Sequence, residues 1–148
     1  MGCGQDTEDN QSNTLPTKSK TVANKYAVVT VPEDWVVLKT PSSTPQLILM
    51  EKFPMTANLI DGEHFDEHTT HKIFEMTKNE FPNIELLEEI SEKSLIFSVQ
   101  RTPQGNRYKF EQHILELPKE KYLLASCSYP LDFPENKCDE FFDAIELR

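Results

Sequence analysis

Residues 95–129 read LIFSVQR (95–101), TPQGN (102–106), RYKFEQHILEL (107–117), PKE (118–120) and KYLLASCSY (121–129). Three runs rich in β-branched and aromatic residues are thus separated by two turn signals. In the middle run Tyr108, Phe110 and Ile114 fall on one face, and Lys109, Glu111 and His113 fall on the other. That is the period of two expected of a half-buried strand. The loop at Thr102–Asn106 and the turn at Pro118–Glu120 are too short for anything but antiparallel neighbours. With a further run near Ile84–Ile90, the stretch predicts a four-strand antiparallel meander.

Working outward, Tyr26 to Val31 (YAVVTV) alternates and is ended by the turn Pro32-Glu33-Asp34. Trp35 to Lys39 starts a second strand, and Leu47 to Lys52 a third, apolar on both faces and therefore read as central. Met55 to Ile60 reads as a short piece at a sheet edge. A helix is predicted over Glu63 to Phe81, with Asp61 as its cap, acidic residues in its first turns and Pro82 as its stop. Phe65, Thr69, Ile73 and Met76 mark its buried face. A second helix is predicted over Pro134 to Leu147, where Cys138, Phe141, Phe142 and Ile145 repeat at helical spacing. Strands, helix, meander and helix together predict an α+β fold. Its form would be an antiparallel β-sheet flanked by two main helices, an α/β/α sandwich.

The chain has 148 residues and a net charge of −10. Residues 1–24 hold only five apolar residues, Met1, Cys3, Leu15, Val22 and Ala23, too few to fold alone. They are expected to form a flexible polar tether, with one folded domain over 25–148. So acidic a chain repels phosphate, so no nucleic-acid partner is expected. Only Gly62 and Gly105 lie in the folded part, so no glycine-rich phosphate loop or nucleophile elbow occurs there. No apolar run is long enough to span a bilayer.

Gly2-Cys3, followed by an Asn-, Gln-, Ser- and Thr-rich linker, fits a mature bacterial lipoprotein with Cys3 as the lipidated residue. Two other readings stand beside it. N-myristoylation of Gly2 wants Ser or Thr where Asp6 stands, and the tail can also carry an incidental cysteine.

Three histidines, His64, His68 and His71, lie within one predicted helix and would form a stripe facing away from its apolar residues. His64 to His68 also reads H-x-x-E-H, the inverted zincin pattern, in which two histidines hold zinc and the glutamate activates water. One helix offers too few ligands, and His64 and His71 would lie about 10 Å apart along it. No metal and no cofactor are therefore expected, and a solvated helix face is. Cys127 and Cys138 can pair as a disulfide in an exported chain, or stand as two small buried side chains. Glu85, Glu88, Glu89 and Glu92 read as a solvated acidic surface, and Trp35 as a core anchor.

The opening Tyr26-x-Val28-x-x-Val31-Pro32-x-x-Trp35, with the closing Phe141-Phe142-x-x-Ile145, resembles the PsbP-like domain superfamily. That superfamily spans a photosystem extrinsic subunit, a Ran-binding nuclear import factor, bacterial lipoproteins and chaperones of secretion effectors. Asp34 stands where many relatives have Gly. The resemblance covers about Tyr26 to Leu147 and implies a non-enzymatic domain, with no partner-binding residues to carry over. The expected function is a lipid-anchored module of the bacterial cell envelope that binds another envelope protein and touches the membrane only through its anchor. The alternatives are a small-ligand carrier with a cavity between sheet and helix, and a zinc-dependent hydrolase on the His64–His71 helix.

Overall fold

The computed structural model describes residues 18–38, 48–81, 83–100, 105–134 and 138–148. Strand β1 (Ser19–Ala23) pairs antiparallel with β2 (Ala27–Pro32), from Ser19↔Pro32 to Ala23↔Val28. Ala27, Val29 and Val31 point into the core, and the facing hydroxyls of Thr21 and Thr30 meet at 3.0 Å on the outside. Residues 19–23, which composition assigns to the tether, are therefore a strand. Their side chains add little apolar area, but their backbone satisfies one edge of β2.

A turn holding Trp35 leads into β3 (Val36–Val37), and after it come β4 (Ile48–Lys52) and β5 (Met55–Asp61). Helix α1 (Thr69–Glu80) follows. The meander is β6 (Glu85–Ser91), β7 (Ser94–Gln100), β8 (Arg107–Leu117) and β9 (Lys121–Pro130). A short helix α2 (Cys138–Phe142) and strand β10 (Ile145–Leu147) end the fold. The main sheet has seven antiparallel strands in the order β3-β4-β5-β9-β8-β7-β6, and β1-β2-β10 form a second sheet of three. The meander forms as its sequence predicts. The piece expected at an edge, β5, lies between β4 and β9.

The predicted sandwich with two main helices does not form. Among the described residues there are ten strands and two helices, and only α1 exceeds five residues. One face of the main sheet carries α1 across β7 and β8, where Phe74 meets Phe97 edge-on at 5.6 Å and Phe97 stacks on Phe110 at 5.4 Å. The small sheet and α2 cover the core on the opposite face. Val29, Val31, Trp35, Met50, Leu59 and Phe141 lie within that core, none of them more than 2% exposed. The predicted closing helix breaks after Phe142 because β2 has a second edge to satisfy. Ile145, Glu146 and Leu147 pair there with Val29, Val28 and Ala27. Burial of an unpaired backbone edge costs more than three residues of helix return.

Helix α1 begins six residues later than predicted. Asp61 ends β5 and binds the Lys121 ammonium at 2.7 Å, so it caps nothing. The Asp66 carboxylate accepts from the backbone N–H of His68 at 2.8 Å, while the Asp66 N–H donates to Thr69 Oγ1 at 2.7 Å. Such local side-chain bonds compete with helix and fix a turn instead. The bond from Lys72, and then that from the His68 N–H, hold the Asp66 pKa below its ordinary value. This arrangement therefore contributes at neutral pH and is lost on acidification below the usual carboxylate range. The buried residues of α1 are Thr69 and Thr70, with Ile73, Phe74 and Thr77 half-buried; of the predicted face Thr69 and Ile73 turn inward, while Met76 is 70% exposed.

Gly62 sets the approach to this turn. A β-carbon there would lie 2.5 Å from the Phe65 ring, well inside van der Waals contact. Gly62→Ala is expected to destabilise the protein by about 1–3 kcal/mol, the usual range for overpacking. Phe65→Leu in the same chain should recover part of that loss. Urea midpoints of the single and double variants check both expectations.

Candidate functional site

Cys3 lies outside the described residues. The three histidines do not share a helix face, because only one lies in the helix. His64 sits in the exposed turn before it, His68 occupies the cap position, and His71 is in the first turn of α1. His68 Nε2 is 3.6 Å from Glu67, and His71 Nε2 is 3.4 Å from Glu89 on β6. The H-x-x-E-H stretch is therefore not the helical element its metal chemistry requires. Among the described residues, no three His, Cys, Asp or Glu side chains gather where one ion would sit.

The two cysteines do meet. Cys127 on β9 and Cys138 at the start of α2 are both fully buried and joined in a disulfide, with their α-carbons 6.0 Å apart. Cys127 faces α2 because it shares its sheet face with Ala57 and Glu111, its register partners on β5 and β8. Trp35 is likewise a core residue. It is fully buried, and its Nε1–H donates to Glu140 of α2 at 3.1 Å.

Sequence reading missed the setting of His113. Register places it opposite Ser94, and its Nδ1 meets Ser94 Oγ at 2.8 Å while its Nε2 meets Glu111 Oε2 at 2.7 Å. Its ring also stands edge-on to Phe142 at 4.6 Å. The hydroxyl, imidazole and carboxylate form one hydrogen-bonded chain across β7 and β8, and the imidazole's contact with Phe142 joins it to α2. No signal in the sequence brings Ser94 to His113; only the register does.

The most unusual surface is β6. Among the described strands it pairs with β7 alone, and all seven of its residues are exposed. Leu86, Leu87 and Ile90 are between 40% and 48% exposed, on a strand that also carries Glu85, Glu88 and Glu89. Two register shifts interrupt its pairing, between Leu86 and Glu88 and between Glu89 and Ser91. Bulges and charges are the usual defences of a free edge. A second copy of β6 laid antiparallel would set glutamate against glutamate, which is unfavourable. A strand bearing Lys or Arg meets no such penalty and would cover the three apolar side chains. The signal was legible in part. In a strand the apolar residues at 86 and 90 fall on one face and that at 87 on the other, so a strand cannot turn all three into one core.

No family model matches the chain, and no curated protein matches it. A solved structure of a protein from Bacteroides thetaiotaomicron VPI-5482, at 1.50 Å, is similar to it with a TM-score of 0.51 and 13% identity. The match covers 90% of this chain and 49% of that one, so this chain spans about half the length of that protein. At this identity the likeness is one of fold alone.

Proposed function

We propose that this chain is a lipid-anchored module of the bacterial cell envelope that binds another protein by adding a basic, extended segment of it to the edge of β6. The observation that carries this is β6 itself: an open edge of seven exposed residues, with three apolar side chains among glutamates. Main-chain hydrogen bonds supply affinity in this mode of recognition, and side chains on alternate faces supply specificity. The net charge of −10 favours encounter with a basic partner. The Gly2-Cys3 start and the polar stretch after it support the anchor. The Tyr26-to-Trp35 pattern supports kinship with lipoproteins of the PsbP-like superfamily.

A photo-crosslinking residue placed at Leu87 in the native host tests the reading. It is expected to give one discrete adduct that partitions into detergent and whose crosslinked peptide is basic. The same residue placed at Glu33, exposed at the β2–β3 turn, should give none. Glu85→Lys with Glu88→Lys should abolish the Leu87 adduct, and Cys3→Ser should move the protein to the aqueous phase. Equal labelling from Leu87 and Glu33 would overturn the docking edge, and detergent partition unchanged by Cys3→Ser would overturn the anchor.

A further inference from the structure

Beyond α1 the same face of the main sheet continues over β9 and β5. Register sets Phe97, Phe110, Ser128 and Thr56 in one row across β7, β8, β9 and β5. Over the last three of these, with Tyr108 beside them, lies a half-open pocket of about 410 Å³. Among the described residues its lining is Thr56, Tyr108, Phe110 and Ser128, with no charged side chain. Phe97 stacks on Phe110 at 5.4 Å and fixes the inner ring. Tyr108 is 39% exposed and supplies a ring that solvent reaches. Thr56 and Ser128 are half-buried, and among the described residues neither hydroxyl has a hydrogen-bond partner. Neither is among the unpartnered side-chain atoms sealed from solvent, so solvent reaches both. The next pair along this face, Asn58 and Ser126, is neutral too. Protein surfaces ordinarily mix in charges, and 27% of this chain is charged, so an uncharged polar patch across two strands stands out.

These groups select a ligand by elimination. An ionised ligand would lose hydration here with no counter-charge to replace it. A wholly apolar one would strip water from the hydroxyls of Thr56, Tyr108 and Ser128 and leave them without partners. Hydroxyls both donate and accept, so they are matched by a ligand whose own groups do both. The face of an aromatic ring carries negative charge density, and C–H groups lying flat on it meet that charge favourably. A pyranose with equatorial hydroxyls combines the two properties, an apolar C–H face and a rim of hydroxyls. The volume falls within the range of roughly 300–1,000 Å³ usual for small-molecule sites. The geometry points to a binding site for a neutral saccharide of such rings, with one ring laid against Tyr108 and its hydroxyls bonded to Thr56 and Ser128. The site is independent of the β6 edge, and its test involves no protein partner.

Methyl β-D-glucopyranoside is the probe, and cyclohexanol is the control, a six-membered ring with one hydroxyl. Titration of the full chain, followed by NMR, is expected to show saturable glucoside shifts confined to β5, β8 and β9, with the sugar C–H protons moved upfield by the Tyr108 ring. The glucoside should bind at least about fivefold more tightly than cyclohexanol, the worth of one net hydrogen bond. Ser128→Ala removes one hydroxyl and should weaken the glucoside by about the same factor while leaving cyclohexanol unchanged. Tyr108→Ala alters an exposed side chain, so the fold should stand, and loss of the ring should weaken the glucoside about two- to tenfold. If Ser128→Ala disturbs the fold, the ratio of the two ligands on the unaltered chain still decides. Equal affinity for the two rings, glucoside binding unchanged by Tyr108→Ala, or no saturable shift with the glucoside, which would mean that the pocket holds water only, would each overturn the inference.

Discussion

Trp35→Ala is expected to destabilise the fold by about 4 kcal/mol, within the range for large aromatic truncations in cores. The side chain is fully buried in the core cluster and its ring lies 6.3 Å from that of Phe141. Its loss empties space between the main sheet and α2. It also removes the donor that Glu140 receives at 3.1 Å. Glu140 keeps its bond from Lys52 at 3.2 Å, and Lys52 in turn reaches Asp34 at 3.0 Å. Burial works against the Lys52 charge, yet the bonds to Asp34 and Glu140 outweigh it and raise the lysine pKa above its ordinary value. That contribution is present at neutral pH and is lost only as pH rises through the raised value, above about 10.5. Trp35→Phe keeps much of the volume and loses the indole donor, so it should cost less than the alanine variant. Urea unfolding followed by far-ultraviolet circular dichroism reads both, since Trp35 is the only tryptophan. A loss below about 1 kcal/mol for Trp35→Ala would show that α2 is held by something other than this contact.

The strands of the meander were legible because turn signals separate them and a period of two marks the middle one. β8 shows this best, since Tyr108, Phe110 and Ile114 share a face in the sequence and in the fold. The helices were less legible because a short apolar repeat does not say which backbone will satisfy it. Cys138, Phe141 and Phe142 are helical, but Ile145 is drawn into a strand by the free edge of β2, 116 residues earlier in its register partner Val29. The first strand failed for the converse reason. Residues 19–23 contribute hydrogen bonds more than apolar area, and composition measures only the latter. Site residues divide along the same line. The cysteines are ordinary in sequence and meet only because β9 and α2 pack face to face. The histidine stripe looked special but dissolved once the turn held by Asp66 and Thr69 delayed the helix. Ser128 and Ser94 gave no signal at all, since their settings depend on register.

Replacing Cys127 and Cys138 together with alanine is expected to cost about 3 kcal/mol, the loop-closure value for a bridge of this span. The sequence separation is 11 residues, and both cysteines are fully buried, so the loss is one of cross-link more than of volume. The effect should be uneven. Amide hydrogen exchange is expected to rise most in α2 and β10, and then in β2, whose second edge β10 covers. In the unaltered chain, thiol reagents should find neither sulfur under native conditions, because an attacking thiolate has no approach to a buried pair. Reduction should therefore accelerate only as urea opens the domain. A double alanine variant within about 0.5 kcal/mol of the parent would show that the bridge adds nothing to packing already present. The same bond bears on the proposed envelope address, because disulfides persist in oxidising compartments and are rare in the cytosol. Protein isolated from its native host under thiol-trapping conditions should carry Cys127 and Cys138 oxidised, and recovery of both as trapped free thiols would count against placing this domain outside the cytoplasm.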